Sequence, residues 1–414
     1  MAQKGMGVPE SKWPMLSVEE ARALVMGLVT PLAAADLTLA DLLGRVLAED
    51  IVATQDMPPF AASTVDGFAL VVADMNPRRR LIGEQTAGQM HNLTVTPGTV
   101  ARITTGAPVP QGADAVVMVE HTEERDGHVI VHEMDLRPGA NIRPIGQDIA
   151  TGDLVLKQGL VLGPAEIGVV ATLGRATARV IPPPTVGVLS TGDELVEPGA
   201  PPGRGQIRDS NRYALMAAVR QAGGVPLNLG IARDEPGDLE RRVRQGLTEA
   251  DVLVTSGGVS MGHLDLVKPL LERLGTIHFG RLRMKPGKPL TFATVGDKPV
   301  FALPGNPVSS LVSFDLFVRP VLRRLQGYVD VDRPMWRVRL LHDVRHDPDR
   351  AEYQRAFARR EGGEWVAATT GFQGSSRLMS MVGANALIVL PVGVGNVSAG
   401  EIVDAVLLDA ANGY

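Results

Sequence analysis

The segment 251–265 reads DVLVTSGGVSMGHLD and combines residue types that suit opposite charges. A short apolar run opens into Ser256, Gly257 and Gly258, and such a loop can hold an anion on its backbone N–H groups. The segment ends in Asp265, whose carboxylate repels anions. A hard cation between the two resolves the conflict, because Mg²⁺ is usually held by one or two carboxylates and by substrate phosphate oxygens. Taken alone, the stretch predicts only phosphate binding, and the neighbouring motifs add the interpretation that Mg²⁺ lies between the loop and Asp265.

Other polar residues stand where neighbouring predicted strands end, and ligands of parallel sheets collect at that edge. Glu194 lies in the run LSTGDEL, Asp234 in IARDEP, and Asn306 and Ser309 in LPGNPVSS. Pro307 suits the first turn of a helix and leaves the next N–H groups available to an anion. A single loop of this kind is most simply a helix cap or a solvated turn. Several at one sheet edge indicate a shared site.

Two lysines follow in the run MKPGKP (284–289), where Lys285 and Lys288 flank a Pro-Gly pair. Because Pro and Gly fix the turn, both ammonium groups can point to one place. Taken alone, the run fits an ordinary surface turn equally well. Beside a Ser-Gly-Gly loop and a helix start, an oxyanion site becomes the better interpretation.

The region before residue 150 carries weaker signals. Asp66 in STVDGFAL precedes a glycine and by itself indicates only a β-turn. Thr105 lies in a loop with two prolines, and Arg143 and Asp148 stand in NIRPIGQD. These residues indicate a functional site only when they are considered together with the motifs of the rest of the chain.

Composition restricts the classes of function. The chain has 414 residues, which suggests two to four domains. A net charge of −5 and only 4% aromatic residues argue against a nucleic-acid binder. The absence of Cys excludes a thiol nucleophile and a Cys-based zinc site, and the His residues show no metal-ligand spacing. With no membrane-length apolar run and no apolar segment near the start, a cytoplasmic protein without a membrane span is expected.

The pattern of elements predicts a multidomain α/β chain. Strand and helix alternate from 185 to 327, which predicts a three-layer α/β/α domain with a mostly parallel sheet. A β-rich insertion module, a small helical/β linker domain and a C-terminal β-barrel-like domain are expected around it. The predicted ranges are 10–49 and 146–181 for the linker domain, 50–145 for the β-rich module, 182–328 for the α/β domain and 329–414 for the barrel. Helical spacing predicts helices over 17–29, 39–47, 163–174 and 307–326. Ser17 and Glu20 form a capping box at the start of the first, and Gly163 followed by Pro164 marks the start of the third.

Taken together, these motifs resemble the molybdopterin molybdenumtransferase family, known as MoeA in bacteria and as the E-domain of gephyrin in animals. The matching stretches are STVDGFAL, RITTGAPVPQGADAVVMVE, NIRPIGQDI, STGDEL, RDEP, SGGVSMGHLD, MKPGKPL and LPGNPVSS. They occur in family order over roughly 50–320, and eight motifs in register are a specific signal.

The resemblance implies an activity and an assembly. It implies Mg²⁺-dependent cleavage of adenylylated molybdopterin with release of AMP, and insertion of molybdate at the dithiolene sulfurs. It also implies a homodimer with its site between subunits. The molybdopterin adenylyltransferase and cofactor-accepting enzymes are the expected protein partners.

Individual roles carry over motif by motif. Asp265 and Glu194 are implied as Mg²⁺ ligands. The implied catalytic residues are Asp66, Thr105, Glu194, Asp234 and Asp265. Substrate binding is implied for Ser256, Gly257, Gly258, Arg143, Asp148, Pro304, Asn306 and Pro307. The implied molybdate residues are Lys285, Lys288, Ser309, Arg355 and Ser376.

Two other functions remain open from the sequence. A nucleotidyltransferase that adenylylates molybdopterin with ATP would need only the α/β domain, so the additional β-rich parts favour the transferase. A scaffold without catalysis is the other alternative, and the retained acidic loops and both lysines argue against it. A preference for molybdate or tungstate is not decided by these residue types, since the two anions are alike in size and charge.

Overall fold

A computed structural model describes residues 13–88, 91–258 and 266–408. The chain forms two compact units. The first comprises Met1–Leu37, Gly44–Val46 and Arg179–Tyr414, and the second comprises Thr38–Leu43 and Leu47–Ala178. Within the described ranges, no helix has the length and apolar character that a membrane crossing requires.

Seven α-helices are present in the described part of the chain. They are α1 Val18–Gly27, α2 Pro164–Thr172, α3 Asn211–Gln221, α4 Pro236–Glu249, α5 Val267–Leu274, α6 Pro307–Ser313 and α7 Arg319–Leu325. Helix α1 begins with the predicted capping box, in which Ser17 and Glu20 each bond the backbone N–H of the other. Helix α2 begins at a proline after Gly163, as predicted.

Two helix predictions need correction. The helix predicted over 39–47 is wrong: the segment forms a 3₁₀ turn at Leu39–Asp41 and a strand at Val46–Leu47. Gly44 lies between them with a φ of +72°, a left-handed conformation that ends a helix. The helix predicted over 307–326 is interrupted by a π-helical turn at Phe314–Val318.

The first unit contains the predicted α/β sheet. Its strands are β14 Thr185–Thr191, β17 Val225–Ala232, β18 Val252–Ser256, β19 Thr276–Phe279, β21 Thr291–Val295 and β22 Lys298–Leu303. Their order is β17-β14-β18-β22-β21-β19, with the first three pairings parallel and the last two antiparallel. This arrangement confirms the mostly parallel sheet.

Apolar side chains of this sheet alternate between two cores, which makes the domain three-layered. Val252 and Val254 pack in one core with residues of α3 and α6, while Leu253 packs in the other with residues of α4 and α5. Because successive side chains of a strand point to opposite faces, a fully apolar strand requires helices on both sides.

The C-terminal part of the first unit is a closed barrel. Its strands are β20 Met284–Lys285, β23 Met335–Leu340, β24 Ala351–Glu361, β25 Glu364–Thr369, β26 Ala386–Leu390 and β27 Ile402–Leu407. The order β24-β25-β23-β27-β26 closes on itself through a β24–β26 pairing, so five strands form the ring. Strand β20 pairs with β24 from outside the ring. The predicted barrel is confirmed.

The second unit is rich in β-structure, as the turn-rich sequence predicts. Its main sheet has the order β8-β5-β7-β6-β10-β9. These strands are β5 Gly67–Leu70, β6 Arg78–Gln85, β7 Thr99–Ile103, β8 Ala115–Met118, β9 Thr122–Arg125 and β10 His128–Val131. Short strands elsewhere in the chain are β1 Ala35–Thr38, β2 Val46–Leu47, β3 Ile51–Val52, β4 Ala62–Ser63, β11 Ile142–Arg143, β12 Leu154–Leu156, β13 Thr177–Ile181, β15 Leu195–Val196 and β16 Ile207–Arg208.

Candidate functional site

A cavity of about 710 Å³ lies within the first unit, lined by the lysine turn, the start of α6 and the barrel. The pairing of β20 with β24 brings the lysine turn against the barrel, because Lys285 stands opposite Glu352 in the register. The polar lining consists of Lys285, Lys288, Asn306, Ser309, His342, Asp343, Arg345, Arg350, Glu352, Gln354, Thr369, Gln373 and Ser375. The two lysines and Ser309, which the sequence predicts together, therefore share one cavity.

The turn between the two lysines depends on Gly287. Its φ is +111°, and a Cβ at this position would lie 2.7 Å from Ser313 Oγ. Lys285 Nζ lies 3.0 Å from Oε1 of Glu352. The Lys285 side chain is 41% exposed, whereas that of Glu352 is only 2% exposed. A buried carboxylate thus holds a cation whose own side chain is still open to solvent.

The start of α6 is attached to a barrel loop. Asn306 donates from Nδ2 to Ser375 Oγ at 3.0 Å, and the N–H of Val308 donates to the Ser375 carbonyl at 3.1 Å. Pro307 occupies the first helical turn, as predicted. Ser309 is buried and lines the cavity. These contacts fix the helix start relative to the barrel side of the cavity.

The strand exits of the α/β sheet form a second group in the same unit. Ser256 ends β18, and its Oγ accepts a hydrogen bond of 2.9 Å from Asn211 Nδ2. That amide also donates to the carbonyl of Gly305 at 2.7 Å. Pro304 follows β22, and its carbonyl accepts a hydrogen bond from the buried Ser310 hydroxyl. Asn211 therefore ties the Ser-Gly-Gly loop to the loop before α6, a role that sequence reasoning missed.

The acidic residues predicted at this edge are solvent-accessible. Glu194 is exposed in the turn after β14, and Asp234 is half-buried in the turn after β17. The two turns meet, since the N–H of Asp234 donates to Asp193 Oδ1 at 3.2 Å. A Cβ at Gly192 would lie 2.2 Å from Glu194 Oε2, so the glycine leaves the space that the Glu194 carboxylate occupies.

In the second unit, Thr105 binds Asp66 as an ordered pair. Oδ1 of Asp66 accepts from the Thr105 N–H at 2.6 Å and from Thr105 Oγ1 at 2.9 Å. These backbone and side-chain hydrogen bonds lower the pKa of Asp66 below its usual value of 3.8. The carboxylate therefore stays ionised over a wider acidic range.

The remaining two residues predicted in this unit are also exposed. Arg143 lies in β11, which pairs with β4, and its partner in the register is Ala62. The N–H of Asp148 donates to the carbonyl of Met57 at 3.0 Å. Their side chains are thus available to solvent within this unit.

Comparison with known proteins identifies the family. The MoeA N-terminal region (domain I and II) matches residues 16–174, the probable molybdopterin binding domain matches 187–324, and the MoeA C-terminal region (domain IV) matches 337–408. The molybdopterin molybdenumtransferase of Haemophilus influenzae is 36% identical, over 94% of this chain and 98% of that protein. The chain belongs to the MoeA family.

Other relatives agree with this assignment. Gephyrin of Dictyostelium discoideum is 37% identical over 99% of this chain, which spans only 64% of the gephyrin length. The structure of the molybdopterin biosynthesis MoeA protein from Pyrococcus horikoshii superposes with a TM-score of 0.80 at 31% identity, covering 96% of this chain and all of that one.

Two residues expected in the molybdate pocket of this MoeA chain lie outside the lining of the cavity. Arg355 is buried, and its guanidinium donates to Ser380 Oγ at 3.1 Å and to the Gly374 carbonyl at 3.3 Å. Burial lowers the pKa of Arg355 to about 10. Side chains alternate along β24, so Arg355 points away from the face that Glu352 and Gln354 present to the cavity. Arg355 therefore holds the loop whose residues Gln373, Gly374 and Ser375 line the cavity.

Ser376 lies in the same loop, directly after the lining residue Ser375. Its carbonyl accepts from the Leu378 N–H at 3.0 Å, and its side chain is exposed outside the lining. The neighbouring Ser375 takes the lining position and contacts Asn306. Sequence reasoning also missed Glu352, Gln354 and Ser375. The sequence offers only a weak signal for the first two, since Glu352 and Gln354 occupy alternate positions in AEYQRAFARR and so share one face of a strand.

Asp265 lies outside the described residues, so its predicted part in magnesium binding has no structural description. Within 13–88, 91–258 and 266–408 no three His, Asp or Glu side chains group together in a way that suits a metal ion. A cage made entirely of protein is not how Mg²⁺ is usually bound, since it takes one or two carboxylates and completes its shell with phosphates and water. The exposed Glu194, in the space left by Gly192, fits such a donor set.

We expect Gly257→Ala to destabilise the first unit more than a glycine substitution at an open site. Gly257 has a φ of +95°, and a Cβ there would lie 2.6 Å from the Thr191 carbonyl oxygen. Gly205→Ala is the matched control, because Gly205 has a φ of +82° with nothing within 4 Å. The control should cost about 1–2 kcal/mol from backbone strain alone. Thermal unfolding should show a larger loss of stability for Gly257→Ala than for the control. Equal losses would show that contact between the added Cβ and the Thr191 carbonyl oxygen costs nothing.

We expect Thr105→Val to raise the pKa of Asp66 towards 3.8 without reaching it, because the backbone N–H donor remains. The folded-state pKa is lowered, so any stability from this pair is present above pH 3.8 and is lost as the pH falls through the folded-state pKa. Carboxyl ¹³C NMR titration measures the shift. Thr104→Val is the control and should leave the titration of Asp66 unchanged.

Proposed function

We propose that this MoeA-family protein is a molybdopterin molybdenumtransferase that cleaves adenylylated molybdopterin, releases AMP and inserts molybdate into the dithiolene. The names of relatives that are 34–37% identical over most of the chain support the overall reaction. The observation that carries the proposal is the cavity in which Lys285, Lys288 and Ser309 come together. Molybdate is a dianion, so its binding needs fixed cations and hydrogen-bond donors.

The lysines and the serine have separate tasks in this proposal. Lys288 supplies a positive charge to the oxyanion, and Lys285 does so while paired with Glu352. Ser309 offers a hydroxyl donor from a buried position at the start of α6. The dithiolene sulfurs belong to the substrate, so a chain without Cys can carry out the insertion.

Cleavage of the adenylyl anhydride is proposed at the strand exits. The Ser-Gly-Gly loop would bind phosphate through its backbone, and Glu194 and Asp265 would hold Mg²⁺. When bound, that ion stabilises the negative charge that develops on the leaving phosphate. Asp234, with Asp66 and Thr105 of the β-rich unit, is proposed to complete the catalytic set. We further propose a homodimer whose site lies between subunits, with Arg143 and Asp148 near the substrate.

The test is incubation of the purified protein with adenylylated molybdopterin, Mg²⁺ and molybdate. AMP is measured by chromatography, and the cofactor by reconstitution of a molybdenum-dependent apoenzyme. We expect both products in equal amounts. A parallel reaction with ATP and plain molybdopterin should give no product; adenylylated molybdopterin there would favour an adenylyltransferase. A protein inactive in both reactions would favour a scaffold.

A further inference from the structure

Glu352 places a negative charge in a cavity that we propose receives an anion. Its side chain is 2% exposed and lines the cavity, in a strand whose other inward neighbour is the uncharged Gln354. Oε1 lies 3.0 Å from Lys285 Nζ, whereas Oε2 is buried and has no hydrogen-bond partner. Burying a carboxylate oxygen without a hydrogen bond costs free energy, so we expect a bound molecule to donate a hydrogen bond to this atom.

A fully deprotonated molybdate dianion cannot be that donor. It carries no hydrogen, and its charge repels a carboxylate. If Glu352 served only to hold Lys285 in place, a neutral acceptor such as glutamine would do so without weakening the binding of the oxyanion. The substrate thiols, which lose their protons during molybdate insertion, are the remaining source of a donor.

Insertion at a dithiol moves two protons. Molybdate (MoO₄²⁻) and one dithiol give a dithiolene-bound MoO₃ unit with the same charge of −2 and one molecule of water. Two S–H bonds and one molybdenum–oxygen bond break, while two molybdenum–sulfur bonds and two O–H bonds form. Molybdenum stays hexavalent, so no oxidant or reductant is needed. The two thiol protons leave on the departing oxo group.

We propose that Glu352 carries one of these protons, accepting it at Oε2 from the substrate thiol and delivering it to the departing oxo oxygen. This proposal rests on the proposed function. A positioned acid–base group that acts directly or through one water suits such a transfer. The ammonium of Lys285 at 3.0 Å stabilises the ionised carboxylate before the transfer. Burial away from bulk water keeps the proton between the reacting groups.

Glu352→Gln separates this role from a positioning role. Loss of the negative charge should leave sodium molybdate binding, measured by calorimetry, equal to or tighter than in the wild type. AMP release should persist, while insertion should slow by roughly 100-fold or more, the usual contribution of a general acid–base group. Glu352→Asp keeps a carboxyl group and should insert molybdate faster than Glu352→Gln. Glu361→Gln is the control, since Glu361 is exposed on the same strand and paired with Arg359.

The outcomes are distinguishable. Normal insertion by Glu352→Gln, or equal rates for the Asp and Gln variants, would overturn the proton-transfer role and leave the proposed function intact. Weaker molybdate binding by Glu352→Gln would assign the residue to positioning Lys285 and also overturn it. A wild-type protein that releases no AMP and forms no cofactor would refute the proposed function itself.

Discussion

Replacement of Lys288 by alanine is expected to slow molybdate insertion by roughly 10- to 100-fold, while AMP release changes far less. A hydrogen bond to a charged group contributes about 1.5–3 kcal/mol, and each 1.4 kcal/mol corresponds to tenfold. Lys288 lines the cavity together with Ser309, whereas Glu194 and Asp234, which are proposed for anhydride cleavage, lie in turns outside that lining. The effect should therefore fall on the step that uses the oxyanion. Rates of AMP and cofactor formation from one reaction measure both steps.

A substitution of Lys288 tests the proposed molybdate binding more specifically than a substitution of Lys285 does. Removal of Lys285 would also leave the buried carboxylate of Glu352 without its cation, which confounds binding with folding. Lys157→Ala is the matched control, because it removes the same charge from an exposed turn in the other unit. The Lys288 variant should also need more molybdate for half-maximal rate. Equal losses in AMP release and insertion would remove the reason for placing molybdate beside Lys288.

The part of the fold that the sequence predicts well is the part with strong local periodicity. The apolar run around Val252–Val254 is buried on both faces and alternates with amphipathic helices, so a parallel sheet follows directly. The Ser17–Glu20 capping box is equally local, since both partners lie within four residues. Cavity residues that flank a turn can be predicted from the local sequence in the same way, as Lys285 and Lys288 beside the Pro-Gly pair are.

What the sequence does not predict depends on partners distant along the chain. Glu352 is a site candidate only because β24 pairs with β20, a pairing that no local pattern indicates. The direction of Arg355 depends on the same strand, since a shift of one residue would exchange the two faces of β24. The false helix at 39–47 has a different cause. Its apolar spacing is helical, but Gly44 adopts a left-handed conformation and the segment divides into a turn and a strand.

Arg212 is a buried cation that joins Glu197, Asn228 and Asp209 in one charge network of the α/β domain. Its guanidinium donates to both oxygens of Glu197 at 2.7 and 2.6 Å and to Asn228 Oδ1 at 3.0 Å. Nε lies 3.0 Å from Asp209 Oδ2, at an angle that makes the contact electrostatic and not a hydrogen bond. Arg212 and Asp209 are each 1% exposed. Asp209 also accepts from Ser190 Oγ at the end of β14.

Arg212→Ala is therefore expected to destabilise the α/β domain by about 3–5 kcal/mol, because it leaves the Asp209 carboxylate buried without a cation. Hydrogen exchange at the amides of β14 and α3 measures the opening free energy of this domain directly. Glu197→Gln is the control, and it should cost no more than about 1 kcal/mol, since Glu197 is 52% exposed. The double variant Asp209→Asn with Arg212→Met removes both buried charges and should recover part of the loss. A double variant less stable than Arg212→Ala would show that packing around the guanidinium, and not charge compensation, stabilises this part of the sheet.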